Sequence, residues 1–198
     1  MTSPTRAALR PADGLTAVLV PGGQYGPAAP LLMYAGDAAG QRGAAVRRVW
    51  WDEPDRPLSL TAAERGPWVI PQVTKVLDEV AGDVLLIGKS LGSYASALAA
   101  ERGLPAVWLT PVLTNDWVVD ALRRSTEPFL LVGGTADDLW DPGLARELTP
   151  YVLEVPEADH GMYVPGRLAA SAAVLGQVAT AVEDFLDEVV LPGPAAGG

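Results

Sequence analysis

Apolar runs of strand length recur along the chain, with segments of helical spacing between them. Six runs stand out: Leu15 to Val20, Ala45 to Trp51, Asp83 to Gly88, Pro105 to Thr110, Phe129 to Gly133 and Tyr151 to Val155. Most are bounded by Gly or Pro and run on without alternating apolar and polar positions, which predicts strands buried on both faces. Val69, Val73, Val76, Leu77 and Val80 share one helical face, and Gly82 is placed to stop that helix. Val174, Val178, Val182, Phe185, Leu186 and Val189 form the same stripe near the C-terminus. Weaker helical signals cover Pro30 to Gly40, Leu91 to Arg102 and Asn115 to Arg124. Strands alternating with helices predict an α/β protein, a three-layer α/β/α sandwich around a mainly parallel sheet of about six strands.

A length of 198 residues suits one domain, expected over residues 14–191. Residues 1–13 and 192–198, rich in Pro, Gly and Ala without periodicity, read as disordered ends. With 49% apolar and 19% charged residues, the chain can bury a real core. Its formal charge of −10 would repel nucleic acid and anionic lipid, so neither is expected as a partner. The absence of cysteine excludes disulfides, thiolate metal sites and a cysteine nucleophile, and the single histidine, His160, excludes multi-histidine metal sites. No cofactor is expected. No apolar block has the length of a secretory signal or a membrane span, so the expectation is a cytoplasmic protein of open oligomeric state.

Candidate chemistry gathers at the carboxyl ends of the predicted strands. The third strand runs into Gly88-Lys89-Ser90-Leu91-Gly92 and then into a helix, a G-x-S-x-G sequence on a strand-to-helix turn. Such a turn holds the serine at a strained apex, and flanking glycines let strand and helix pass closely. It also places the Leu91 N–H at the positive end of a helix, where an oxyanion would be stabilised. A second donor is expected from the loop after the first strand, Pro21-Gly22-Gly23-Gln24-Tyr25, with Gly23 first and Gln24 next. A serine nucleophile requires a base and an orienting carboxylate. His160 is the only imidazole and follows the sixth strand. Asp137, Asp138 and Asp141 follow the fifth. Asp137 is favoured because it lies closest to the strand end, Asp141 is placed to cap the next helix, and Asp138 is free to be solvated.

With Ser90, Asp137 and His160 in that order, the chain resembles the α/β-hydrolase superfamily from Leu15 to about Val190. Among its members it is most similar to small lidless ones related to dienelactone hydrolase and short-chain carboxylesterases. The resemblance implies a serine hydrolase that acts on a small ester, lactone or thioester. In it Ser90 is the nucleophile, His160 the base, Asp137 the acid, and Gly23 and Leu91 supply the oxyanion hole. The chain departs from the superfamily in that its glycine-loop strand begins near Leu15, so a minimal fold without the superfamily's first two strands and without its lid is expected. Pro21 stands where a histidine commonly precedes the oxyanion glycine, and Lys89 is an unusual residue at the first variable place of the elbow, expected to pair with a nearby carboxylate. The scaffold also carries lyases, cofactor-free peroxidases and ligand-binding proteins, which form the alternative.

The segment from Pro111 to Glu127 has room for one helix and two turns, so the site should be open and shallow. Gln24, Tyr25, Trp117, Trp140 and Tyr163 lie in loops expected to converge on Ser90 and line a substrate pocket. Trp50, Trp51 and Trp108 are assigned to the core.

Overall fold

The computed structural model describes residues 14–191, so the expectations for both chain ends lie outside the described residues. Six strands, β1 (Leu15–Val20), β2 (Ala45–Arg48), β3 (Asp83–Lys89), β4 (Ala106–Leu109), β5 (Phe129–Gly134) and β6 (Val152–Val155), form one sheet in the order β2-β1-β3-β4-β5-β6. Every pairing is parallel. All six carboxyl ends therefore share one edge, and the strand order reverses between β1 and β3. A crevice opens outside the strand ends at such a reversal.

Alternate residues of each central strand feed two separate cores. Ala17 and Leu19 of β1, Leu85 and Ile87 of β3, and Leu130 and Val132 of β5 pack against α1 (Pro30–Gly40) and α6 (Leu168–Phe185). Val18 and Val20, Leu86, and Phe129 and Leu131 face α2 (Ala62–Asp78), α3 (Ser96–Arg102), α4 (Asp116–Arg124) and α5 (Pro142–Leu148). This is the expected three-layer arrangement. It explains the continuous apolar runs, since both faces of the sheet are covered.

Helix boundaries follow local chemistry as much as apolar spacing. The stripe of Val69, Val73 and Leu77 is buried on α2, each side chain worth roughly 1.5–3 kcal/mol. The helix nevertheless starts well before that stripe, where the Thr61 N–H donates to Glu64 Oε2 at 2.9 Å in a capping box. The expected helix from Leu91 begins instead as a 3-10 turn over Ser90–Ala95 before continuing as α3. On α4, Asn115 accepts from the Trp117 N–H and caps the start. Nothing beyond α4 is inserted between β4 and β5.

The second apolar run is shorter as a strand than expected. Strand β2 ends at Arg48, and the chain then leaves the sheet with Val49 and Trp51 buried. Trp50 is a correction: it is 64% exposed, because it falls on the outward side of a segment that no longer belongs to the sheet. Trp51 packs against Trp68 with ring centroids 4.9 Å apart, and Trp108 is fully buried. Among the described residues no helix is long and apolar enough to cross a membrane.

Candidate active site

Ser90 sits at the sheet edge where the strand order reverses, in the left-handed region with φ of 52°. A non-glycine residue held there costs about 1–3 kcal/mol, which the surrounding packing must impose. The two elbow glycines make that packing possible. A Cβ on Gly88 would come within 2.6 Å of the Trp108 ring, and one on Gly92 would collide with the Val20 carbonyl oxygen. Strand β1, the elbow and Trp108 can approach this closely only without those side chains.

The structure brings Ser90, His160 and Asp137 together from the ends of β3, β6 and β5. His160 Nε2 lies 2.7 Å from Ser90 Oγ, and His160 Nδ1 lies 2.7 Å from Asp137 Oδ2. A carboxylate can only accept, so Nδ1 carries the proton and donates to Asp137. Nε2 is then the acceptor for the Ser90 hydroxyl. The Asp137 side chain is 1% exposed, and its other oxygen accepts the Leu139 N–H at 2.9 Å, which fixes the carboxylate. Of the other two aspartates after β5, Asp138 is exposed and Asp141 caps α5 by accepting the Leu144 N–H. The loop carrying His160 is organised by Asp159, whose Oδ1 accepts the N–H groups of Gly161 and Tyr163 at 2.8 and 2.9 Å.

The loop after β1 faces the elbow across the crevice. The Gly22 N–H is spent on the Tyr25 carbonyl at 3.0 Å, which leaves Gly23 as the next amide. A Cβ on Gly23 would sit 4.0 Å from Leu91 Cδ2, so Gly23 and the residue after the nucleophile are neighbours. The Leu91 N–H opens the 3-10 turn, and first-turn amides lack intrahelical partners. Trp51 Nε1–H donates to the Gly22 carbonyl at 2.8 Å and ties this loop to the chain beyond β2.

A cleft of about 320 Å³ lies over Ser90 and His160, lined also by Gly23, Gln24, Tyr25 and Lys89. Of the four expected pocket aromatics only Tyr25 lines this cleft, and the other three are elsewhere. Trp140 is buried, its ring stacked over Gly133 and its Nε1–H donated to Glu154 Oε2 at 2.9 Å. Gly133, the penultimate residue of β5, leaves the gap that this ring occupies. Trp117 lies over Gly66 of α2, donates weakly to the Tyr94 carbonyl at 3.3 Å, and borders a groove between α2, α3 and α4. Tyr163 is exposed beside a separate apolar pocket of about 260 Å³ that it shares with Tyr25, Leu31, Met162 and Leu175.

Lys89 differs from its sequence expectation. It is only 4% exposed, and among the described residues its ammonium has neither a hydrogen-bond acceptor nor an ion-pair partner. It lies 5.0 Å from the Tyr25 ring centroid, in the range of a cation–π contact. Burial pushes its pKa down to about 8, against the opposing pull of Asp137 and Asp159. Burial likewise raises the Tyr25 phenol, whose oxygen accepts the Leu31 N–H at 2.7 Å, so no phenolate is at hand to neutralise the ammonium. The described residues hold no group of three or more His, Asp or Glu side chains arranged for a metal ion.

Neither a protein-family model nor a curated protein matches this chain. Solved structures match it in shape. Est1E from Butyrivibrio proteoclasticus, solved with ferulic acid bound, gives a TM-score of 0.66 at 16% identity over 92% of this chain and 94% of that one. An alpha-beta serine hydrolase homologue from Coxiella burnetii gives 0.66 at 13% identity, covering 92% and 89%. XC6422 from Xanthomonas campestris, described as an a/b serine hydrolase without lid, gives 0.57 at 16%, covering 94% and 88%. The chain has the α/β-hydrolase fold.

Proposed function

We propose that the protein is a serine hydrolase cleaving a small ester, lactone or thioester through a Ser90 acyl-enzyme. The observation that carries this reading is the continuous relay from Ser90 Oγ through His160 to Asp137, with both links at 2.7 Å. His160 Nε2 takes the hydroxyl proton as Ser90 Oγ attacks the scissile carbonyl carbon. The amides of Gly23 and Leu91 hold the oxyanion, and Asp137 stabilises the imidazolium. His160 then returns the proton to the leaving alkoxide or thiolate, giving the acyl-enzyme and a free alcohol or thiol, or, from a lactone, an acyl-enzyme that keeps the new hydroxyl on its chain. Water, deprotonated by the same imidazole, attacks the acyl group and releases the acid with Ser90 restored.

The similarity to Est1E and to the serine hydrolase homologue supports this class of chemistry. So does the open 320 Å³ cleft, which suits a small substrate. Turnover of p-nitrophenyl acetate tests it. Ser90→Ala and His160→Ala should each lower kcat by about 10³-fold or more. Retention of the wild-type rate in either variant would rule the reading out.

A further inference from the structure

Among the described residues Lys89 is a buried cation with no directly hydrogen-bonded or ion-paired carboxylate, drawn only at longer range by Asp137 and Asp159, and it lines the same cleft as Ser90 and His160. Keeping an ammonium in such a place is costly, and a purely structural side chain of this shape would serve better without charge. Its stem packs toward Gly22, where an added Cβ would sit 3.3 Å from Lys89 Cδ, and its head lies over the Tyr25 ring. The opposite flank of His160 has the reverse polarity: Asp138 and Asp159 border a second depression together with Asp137. An anionic group entering the crevice is therefore attracted to one side of Ser90 and repelled from the other.

We infer that Lys89 determines specificity by receiving a carboxylate carried by the substrate near its scissile carbonyl, so that the preferred substrate is a monoester of a small dicarboxylic acid. The inference rests on the Ser90 hydrolase reading. Lys89 and Ser90 line one cleft of about 320 Å³, so a carboxylate held by the ammonium shares that small space with the carbonyl under attack. The groups facing Lys89 are Tyr25 from the loop after β1, Asp137 from the loop after β5, and Asp159 and His160 from the loop after β6. Pro57 and Leu58 close the cleft with apolar surface. Asp137 is engaged by His160 and Leu139, and Asp159 by its own loop amides, which leaves the ammonium to an incoming anion. With its pKa near 8, Lys89 is mostly protonated at neutral pH and loses its charge above that value.

The test compares monomethyl glutarate with its neutral isostere, methyl glutaramate, which replaces the free carboxylate by a primary amide. At neutral pH the wild-type protein should favour the acid in kcat/KM by about 10- to 100-fold, the worth of one charge-assisted hydrogen bond. That ratio should fall toward one as pH rises through about 8, a profile that needs no variant. In Lys89→Met the ratio should be near one at every pH. A wild-type ratio near one, or a preference that survives Lys89→Met, overturns the inference. Equal losses on both esters in Lys89→Met also overturn it, because the charge would then act on every substrate alike. Should Ser90 still react with a fluorophosphonate while no preference for the acid is seen, only this inference fails. Should neither ester be cleaved and Ser90 stay unlabelled, the hydrolase reading fails with it.

Discussion

The Trp51 indole N–H donates to the carbonyl oxygen of Gly22 at 2.8 Å, fastening the loop that carries Gly23 to the chain beyond the edge strand. The indole is otherwise held by Trp68, with the two rings tilted 54°. Trp51→Phe keeps the ring contact and removes the donor. Because oxyanion donors act only when correctly aimed, the expected result is a fall of about 10- to 100-fold in kcat with little change in KM. Steady-state kinetics on p-nitrophenyl acetate checks it, and an unchanged kcat would show that the loop holds its place without this bond.

Arg42 joins the end of α1 to the C-terminal helix. It is 4% exposed, contacts Asp187 through two nitrogens at 2.5 and 2.6 Å, contacts Glu183 at 3.1 Å and donates to the Ala38 carbonyl. The Asp187 hydrogen bonds hold its guanidinium more firmly protonated than usual. Removing one member of a buried pair costs about 3–5 kcal/mol, but Glu183 and Asp187 are 34% and 32% exposed and can be rehydrated. Arg42→Met should therefore destabilise by about 2 kcal/mol in urea unfolding, with the crevice chemistry unaffected because the pair lies at the far end of α1 from Tyr25.

Burial of the Lys89 ammonium should be visible in stability. Its pKa is lowered on folding, so between about 8 and the ordinary 10.5 the unfolded chain binds more protons, and stability rises with pH across that window. Below about 8 the folded protein bears the full penalty of the buried charge. Lys89→Met should then be more stable than wild type by about 1–3 kcal/mol at neutral pH, with the gap closing toward pH 10.5. Urea unfolding at neutral and alkaline pH measures both values. A variant less stable at neutral pH would mean that the cation has a compensating partner.

Much of this architecture is legible in the residue pattern because parallel strands buried on both faces leave unbroken apolar runs. Pro30 and Gly40 mark the two ends of α1 as the sequence suggests, since a proline suits a first helical turn and a glycine a last one. Ser90, Asp137 and His160 are singled out by their places just after strands, and a parallel sheet brings all such places to one edge. The side-chain directions of aromatics are not encoded in this way. Trp140 and Trp117 look like cleft residues from their loop positions, but Gly133 opens the gap that buries Trp140, and Gly66 lets the half-exposed Trp117 ring lie flat on α2, away from Ser90. Likewise Trp50 and Trp51 are adjacent and alike in composition. What separates them is the end of β2 at Arg48 and the acceptor that Gly22 offers to Trp51 alone. The isolation of Lys89 depends on which carboxylates are already engaged, a property of the assembled loops.

The relay through His160 is tested most directly by intact-mass analysis after exposure to a fluorophosphonate, with the adduct mapped by peptide sequencing. The account predicts a single adduct on Ser90, formed at a rate that falls about 10²-fold or more in His160→Ala and absent in Ser90→Ala. A wild-type protein that stays unmodified, or one modified at a different residue, would contradict it.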